Sequence, residues 1–390
     1  MAIYIDHCGT TQLAREVRDV MVGHMDHGPF ANPAAHHHAA GRAAYETVET
    51  ARAEIATCLN AKPEWVHFTG GASEANNIII HGFARRFRHH GCRILVGATE
   101  HKSILDSVLD LKDSGYCEVE VIPVRQADGL IDTRILEQRL ADNPQNKMTM
   151  VAVMWCNNEI PARNPIEEIA GLCQRHGAFW HCDAVQGVVR ERVDVRKLGA
   201  SSIVFAPHKI YGPKGIGVFV IPERSPMLRL DAPFQGGDQE RKMRPGTVNT
   251  LAIVGTAAAV KCHEKRREEL LRHLRLCDDA FVEVMSREAP GFHLTIPRSP
   301  LCPGIINFHV DGIDAQSLIH AIAERVCANR GASCSGAGGE KARHVPKALG
   351  LPLEVAANVI RVSFGFQNTV DEARIAAEIF AKEIRTTRKG

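Results

Sequence analysis

The stretch Ser202-Ile-Val-Phe-Ala-Pro-His-Lys-Ile-Tyr-Gly-Pro-Lys-Gly-Ile-Gly-Val-Phe-Val220 decides how the chain is read. Its two ends, Ser202–Phe205 and Gly217–Val220, have the length and composition of buried strands. Between them lies a Pro- and Gly-rich turn that carries Lys209. A lysine between two buried strands is at least partly desolvated. Desolvation lowers its pKa and makes the amine nucleophilic, which suits Schiff-base chemistry. The alternative for Lys209 alone is a surface lysine with a snorkelling stem. The run Gly212–217 precedes a strand instead of opening a helix, so it is not a dinucleotide fingerprint.

Working outward, strand-like apolar runs recur at 66–69, 93–96, 118–124, 149–154 and 179–182. They alternate with helical patterns at 47–59, 73–87, 103–111, 132–141 and 165–176. In the first of these, Val48, Ala51, Arg52, Ile55 and Leu59 fall at helical spacing. This alternation predicts an α/β fold with a mostly parallel sheet covered by helices on both faces. After residue 250 the pattern changes. A long helix is expected over 251–287 with a break, then strands at 305–310 and 359–364 and helices at 315–324 and 371–384. The expected division is a large domain over 16–260 and a smaller α+β domain made of 1–15 and 261–390.

Composition narrows the function. With 390 residues, 45% of them apolar, the chain can bury a large core. Lys plus Arg number 47 against 45 Asp plus Glu, a net charge of +2, which argues against direct nucleic-acid binding or a polybasic membrane surface. No apolar run approaches the ~18–20 residues of a membrane span. The first six residues have no basic leader, so the expected compartment is the cytoplasm. None of the twelve cysteines forms a C-x-x-C pair, so neither a zinc ribbon nor a disulfide scaffold is expected. His36-His37-His38 reads as a polar loop, and no metal site is expected.

In open α/β sheets ligands bind at the carboxyl ends of the strands. The polar residues there are Ser73-Glu74, Glu100-His101, Asn157-Asn158, Asp183 with Gln186, and His208-Lys209. Asp183 could hold a pyridinium nitrogen protonated, making a pyridoxal ring a better electron sink, or could cap a helix. Gly70-Gly71-Ala72-Ser73 opens a helix where backbone amides could meet a phosphate, or is an ordinary turn. His101 could stack on a planar cofactor or move protons, or be structural. Cys334 lies in Asn329-Arg-Gly-Ala-Ser-Cys-Ser-Gly-Ala-Gly-Gly339, expected to be a mobile loop with an accessible thiol.

Together these pieces resemble the cysteine desulfurases of the NifS/IscS type, in the class V aminotransferase superfamily of fold type I pyridoxal-phosphate enzymes. The motifs are Tyr4-Ile-Asp-His-Cys-Gly-Thr-Thr11, Asn32-Pro33, Phe68-Thr-Gly-Gly-Ala-Ser-Glu-Ala-Asn-Asn77, Glu100-His-Lys102, Asn157-Asn-Glu-Ile160, Asp183-Ala-Val-Gln186, His208-Lys-Ile-Tyr-Gly-Pro-Lys-Gly215, Gly236-Gly-Asp-Gln-Glu-Arg241, Arg244-Pro-Gly-Thr247 and Arg361-Val-Ser-Phe-Gly365. The resemblance implies that Lys209 carries pyridoxal 5'-phosphate, that His101 stacks on its ring, and that Asp183 meets the ring nitrogen. Gln186 and Asn158 would lie near the ring oxygen and the substrate. Ala72, Ser73, Ala206 and His208 would surround the phosphate, with Thr247 reaching in from a second subunit of a homodimer. Asn32, Asn158 and Arg361 would bind L-cysteine, Arg361 by a bidentate grip on its carboxylate. Cys334 would take the sulfur as a persulfide, leave L-alanine, and pass the sulfur to an acceptor protein in iron–sulfur cluster assembly, tRNA thiolation or DNA phosphorothioation. A selenocysteine lyase, an aminotransferase or a non-catalytic scaffold of the same fold are the competing readings. The chain departs from the family pattern at Gly9, Trp155-Cys156, Pro161, Ala206 and Pro245. At Ala206 a phosphate-binding hydroxyl is missing.

Overall fold

The computed structural model describes residues 2–331 and 343–388. Its twelve strands are β1 (Ile3–Tyr4), β2 (Val66–Thr69), β3 (Cys92–Gly97), β4 (Glu118–Ile122), β5 (Met148–Ala152), β6 (Phe179–Asp183), β7 (Ser202–Phe205), β8 (Gly217–Val220), β9 (Phe292–Leu294), β10 (Ile305–Val310), β11 (Val326–Cys327) and β12 (Ile360–Ser363). Seven form the main sheet in the order β2-β8-β7-β6-β5-β3-β4. The run from β7 to β4 is parallel, and β8 is antiparallel to both its neighbours. The sheet is α/β and mostly parallel, as the alternating sequence pattern predicts.

The strands read as unbroken apolar runs because both faces are covered. Successive side chains point to opposite faces. Ile94, Val96, Met150 and Phe219 pack with Ile78, Ile79, Phe83, Ile104 and Val108 of helices Ala72–Phe87 and Lys102–Asp113. Leu95, Val151, Trp180, Ile203 and Val218 face the other cluster, shared with helices Ala39–Cys58, Ile166–Arg175 and Thr250–Glu288. Only the edge strand β4 is substantially open to solvent.

The expected break in the long helix is absent. Thr250–Glu288 is one helix of 39 residues, capped by Asn249 Oδ1 accepting from the Ala252 amide at 3.0 Å. Beyond Gly255 it contains neither Gly nor Pro, so nothing in it removes a ladder bond. It packs on helices Arg15–His27, Ala39–Cys58 and Val370–Thr387. Strands β9, β10 and β12 form a small antiparallel sheet, and β1 pairs in parallel with β11. Among the described residues no helix is long and apolar enough to cross a membrane.

Candidate active site

The carboxyl ends of β2, β3, β5, β6 and β7 open onto one cavity of about 590 Å³. Of the residues singled out in the sequence, Ala72, Ser73, His101, Asn158, Asp183, Gln186, Ala206, His208 and Lys209 line it. Lys209 ends a one-turn helix after β7, and its Nζ donates to the carbonyls of Cys8 and Gly9, each at 2.5 Å. The N-terminal segment is held there by the Thr11 amide and hydroxyl, which both donate to the His208 carbonyl at 2.9 Å, and by the Cys8 amide donating to Ser363 Oγ at 2.8 Å. Sequence reading gave this segment no role in the site.

Asp183 ends β6 with its side chain buried. Its Oδ1 accepts from the Val185 amide at 2.9 Å and closes a turn, but the helix that follows, Gly187–Arg190, has Gln186 at its N-cap, so Asp183 is not the helix cap that the alternative reading expected. Its Oδ2 accepts from Asn76 Nδ2 at 3.1 Å. Asn76 Nδ2 donates as well to Ser103 Oγ at 2.9 Å, and Ser103 Oγ lies 2.9 Å from His101 Nδ1. The Ser103 amide also donates to that nitrogen, at 3.2 Å. In neutral His101 the ring proton therefore sits on Nε2. On the far side of Asn76, Oδ1 accepts from His181 Nε2 at 3.1 Å, and His181 Nδ1 faces Ser202 Oγ at 3.0 Å. Complete burial lowers the His181 pKa to about 3 and keeps it neutral.

The helix start at Gly71, on the same cavity, suits an anion. Helix Ala72–Phe87 starts at Gly71, which has no side chain to cap it. Gly70 donates its amide to Glu74 Oε2 at 2.7 Å, while the amides of Ala72, Ser73 and Glu74 find no acceptor among the described residues. Such amides at a helix start are anion donors. Gly217 lets β8 approach this turn: a Cβ there would stand 2.3 Å from the Gly71 carbonyl carbon. His208 is held neutral, with its pKa lowered to about 4 by burial and then by Lys209 and Lys214.

Two carboxyls behind the cavity are shifted the other way. Glu100 is fully buried; Oε1 accepts from the Met154 amide at 2.7 Å, and burial drives its pKa well above the ordinary range. Glu159 lines the cavity, and burial raises its pKa to about 7 against the pull of Arg361, His101 and Lys102. His344 also lines it and donates from Nε2 to the Glu100 carbonyl at 2.9 Å. Sequence reading missed Asn76, Ser103, Glu159 and His344 as contributors. Asn76 could have been found as a polar residue one turn after Ser73, inside the apolar run Ala75-Asn-Asn-Ile-Ile79.

Three expected site residues do not line this chain's cavity, and of these Thr247 was expected to serve the site of a second subunit. Asn32 is exposed and does not line the cavity; its Oδ1 caps the Ala34 amide at 3.0 Å. Thr247 is exposed, also outside the cavity lining. Arg361 is completely buried behind Asn158, donating to the Asn158 carbonyl at 2.8 Å and to Asp6 Oδ1 at 2.5 Å. Cys334 lies outside the described residues.

The family model for class-V aminotransferases matches residues 3–375. The cysteine desulfurase IscS of Neisseria meningitidis is 33% identical over 387 residues, spanning 99% of this chain and 93% of that protein. A solved NifS-like protein superposes with a TM-score of 0.88 at 26% identity, with all of both chains covered. A solved structure of SspA in complex with cysteine gives a TM-score of 0.76 at 27% identity, over 93% of this chain and 99% of the other. Full-length matches of this kind, around a cavity holding an amine, a buried carboxylate and an anion cradle, mean that the chain belongs to the class-V aminotransferase family, with the cysteine desulfurases of the NifS/IscS type.

Proposed function

We propose that this protein is a pyridoxal-phosphate-dependent cysteine desulfurase. L-cysteine and the Cys334 thiol give L-alanine and a Cys334 persulfide, whose outer sulfur passes to an acceptor protein. The observation that carries the reading is the placement of Lys209 Nζ, Asp183 and the open helix start at Gly71 around one cavity.

The residues present fit the cofactor. Three amides without an acceptor among the described residues and neutral His208 suit its phosphate, a buried carboxylate suits its ring nitrogen, and an amine lines the same cavity. When bound, pyridoxal phosphate would supply an aldehyde for the amine and an electron-withdrawing ring. Lys209 would hold it. Ala72, Ser73, Ala206 and His208 would surround its phosphate, and Thr247 of a second copy would complete the site in a homodimer. Asp183, fixed by Asn76 and Val185, would keep a proton on the ring nitrogen. His101, with its own proton on Nε2, would stack over the ring and move a proton. Gln186 and Asn158 would orient ring and substrate, and Asn32 and Arg361 would receive the substrate carboxylate. At Arg361 that carboxylate would share a guanidinium already bound to Asp6. We also propose the division into a 16–260 domain and a 1–15 plus 261–390 domain.

Purified Lys209→Ala is expected to lose the visible absorption of lysine-bound pyridoxal phosphate and all alanine formation from cysteine. Cys334→Ala is expected to keep the colour and lose the alanine. Wild-type protein that stays colourless after reconstitution would refute the cofactor assignment. Full turnover by Cys334→Ala would move the function to a selenocysteine lyase or an aminotransferase.

A further inference from the structure

The cavity wall beside Asn158 presents a carboxyl that the proposed reaction leaves without a task. Glu159 is only 3% exposed, yet it lines the cavity. Its backbone is fixed on both sides: the amide donates to Asn157 Oδ1 at 2.7 Å, and the carbonyl accepts from Asn307 Nδ2 at 3.0 Å. Asn307 is the register partner of Arg361 in the β10–β12 pair, and Arg361 donates to the Asn158 carbonyl at 2.8 Å. These bonds set Glu159 beside Arg361. The Glu159 carboxyl itself has no hydrogen bond or ion pair among the described residues. The charged or titratable groups that face it are Arg361 from β12, and His101 and Lys102 from the start of helix Lys102–Asp113. Asp6 lies beyond Arg361 and is bonded to it, and Asp183, Lys209 and His344 line the same cavity. Gly331 closes the side at Oε2, where an added Cβ would be 3.0 Å away.

A buried, ionised carboxyl without a bonded partner is costly, and a protonated one has an O–H to donate. Burial raises the Glu159 pKa to about 7 against the pull of its three cationic neighbours, so a proton is at hand near neutral pH. Resting on the desulfurase reading of the cavity, we propose that Glu159 belongs to the substrate-carboxylate site: its protonated side chain donates a hydrogen bond to the carboxylate of the incoming amino acid beside Arg361. Arg361 already balances Asp6, so the Glu159 proton supplies what a second carboxylate on this wall requires. Two adjacent carboxyls share one proton instead of both ionising. Binding therefore takes up a proton from solution wherever free Glu159 is ionised, and no covalent bond other than that O–H is made or broken.

The probe is propionate, a carboxylate with no amine to react with the cofactor aldehyde. Its binding to wild-type holoprotein is followed by isothermal titration calorimetry at pH 6, 7 and 8, in two buffers of different ionisation enthalpy, which counts the protons taken up. The expected uptake is small at pH 6, about half a proton at pH 7 and close to one at pH 8, with Kd rising towards tenfold per pH unit above 7. Glu159→Gln keeps a donor and is expected to bind with a flat Kd and no uptake. Glu159→Leu lacks the donor and is expected to bind about tenfold or more weakly than wild type at pH 6. His101→Gln is expected to keep the uptake, which separates Glu159 from the other titratable group on this wall. Wild-type protein that binds no propionate or takes up no proton, or a Glu159→Gln variant with the wild-type uptake, overturns the proposal. Alanine formation from L-cysteine by the wild type is measured separately. Proton-linked binding without alanine formation refutes the desulfurase reading and not the carboxylate site.

Discussion

Asn76 is the residue whose removal tests the site most sharply. It is fully buried, and each polar atom has a partner: Nδ2 donates to Asp183 Oδ2 at 3.1 Å and Ser103 Oγ at 2.9 Å, and Oδ1 accepts from His181 Nε2 at 3.1 Å. Asn76→Ala deletes one donor to a carboxylate, leaves His181 Nε2 without its acceptor, and takes one of the two partners of Ser103 Oγ. A hydrogen bond to a charged group is worth about 1.5–3 kcal/mol. If Asp183 acts mainly in the transition state, the loss appears in kcat as a fall of about 10–150-fold, at roughly 1.4 kcal/mol per decade. KM should change little, because Asn76 does not line the cavity. Ser103→Ala is the control. It removes the Ser103 Oγ bonds to Asn76 and to His101 Nδ1, both neutral, but keeps the Asn76 bond to Asp183 and the Ser103 amide on His101 Nδ1; with the site losing the equivalent of one neutral bond worth about 0.5–1.5 kcal/mol, its kcat should fall only about 2–13-fold. Steady-state alanine production gives both constants, and circular dichroism shows that each variant is folded. An Asn76→Ala enzyme within about twofold of wild type, or a Ser103→Ala enzyme damaged as badly, would refute the network as the means of positioning Asp183.

Two further outcomes follow from buried charges. Arg52 and Glu240 form a buried bidentate pair at 2.8 and 2.9 Å, and Glu240 Oε2 also accepts from the Phe68 amide at 2.8 Å. The pair pins Glu240, Arg241 and Lys242, all at positive φ, against β2. Arg52→Met or Glu240→Gln alone should cost about 3–5 kcal/mol in denaturant unfolding, and Arg52→Met/Glu240→Leu less than the sum; single losses under about 1 kcal/mol would contradict this. Glu159 titrates near 4.5 when unfolded and at about 7 in the fold, so between these values the folded state holds a proton the unfolded chain has lost. Its contribution to stability is fully present below pH ~4.5 and is lost as pH rises through about 7, at up to ~1.4 kcal/mol per pH unit. Melting Glu159→Gln across that range should show a slope shallower by this one group, with the Asp278 share remaining; an unchanged slope would disprove the assignment.

What was legible in the sequence follows from where burial is complete. Strands β2, β3, β6, β7 and β8 are buried at every residue, so their apolar runs were plain. Strands β1, β9 and β11 are two or three residues long, too short to show a period. Helix Arg15–His27 places Val17, Val20, Met21 and Met25 at helical spacing, a stripe the sequence reading passed over, although only Val17 of these is buried. The rule that ligands meet strand ends found Lys209, Asp183 and His101, because each follows such a run. It could not find Asn76 or Ser103, which sit inside helices and reach the site by facing inward. Nor could it find the Asp6–Arg361 pair, whose members are 355 positions apart.

That pair belongs to the part of the site built by the small sheets. Asp6 Oδ2 accepts from Asn329 Nδ2 at 3.0 Å, and the backbones of Asn329 and Arg361 bond each other in both directions, at 3.2 and 2.7 Å. Two residues on, Gly331 lies against Glu159, where an added Cβ would be 3.0 Å from Oε2. After residues 332–342, His344 is bound to the Glu100 carbonyl and lines the cavity again. The chain therefore leaves and re-enters the described structure at the cavity wall. The same Asp6 that holds Asn329 also holds Arg361, so under the role proposed for Arg361 a substrate carboxylate and the Asn329 backbone would depend on one ion pair, and occupancy of the one would be felt by the other.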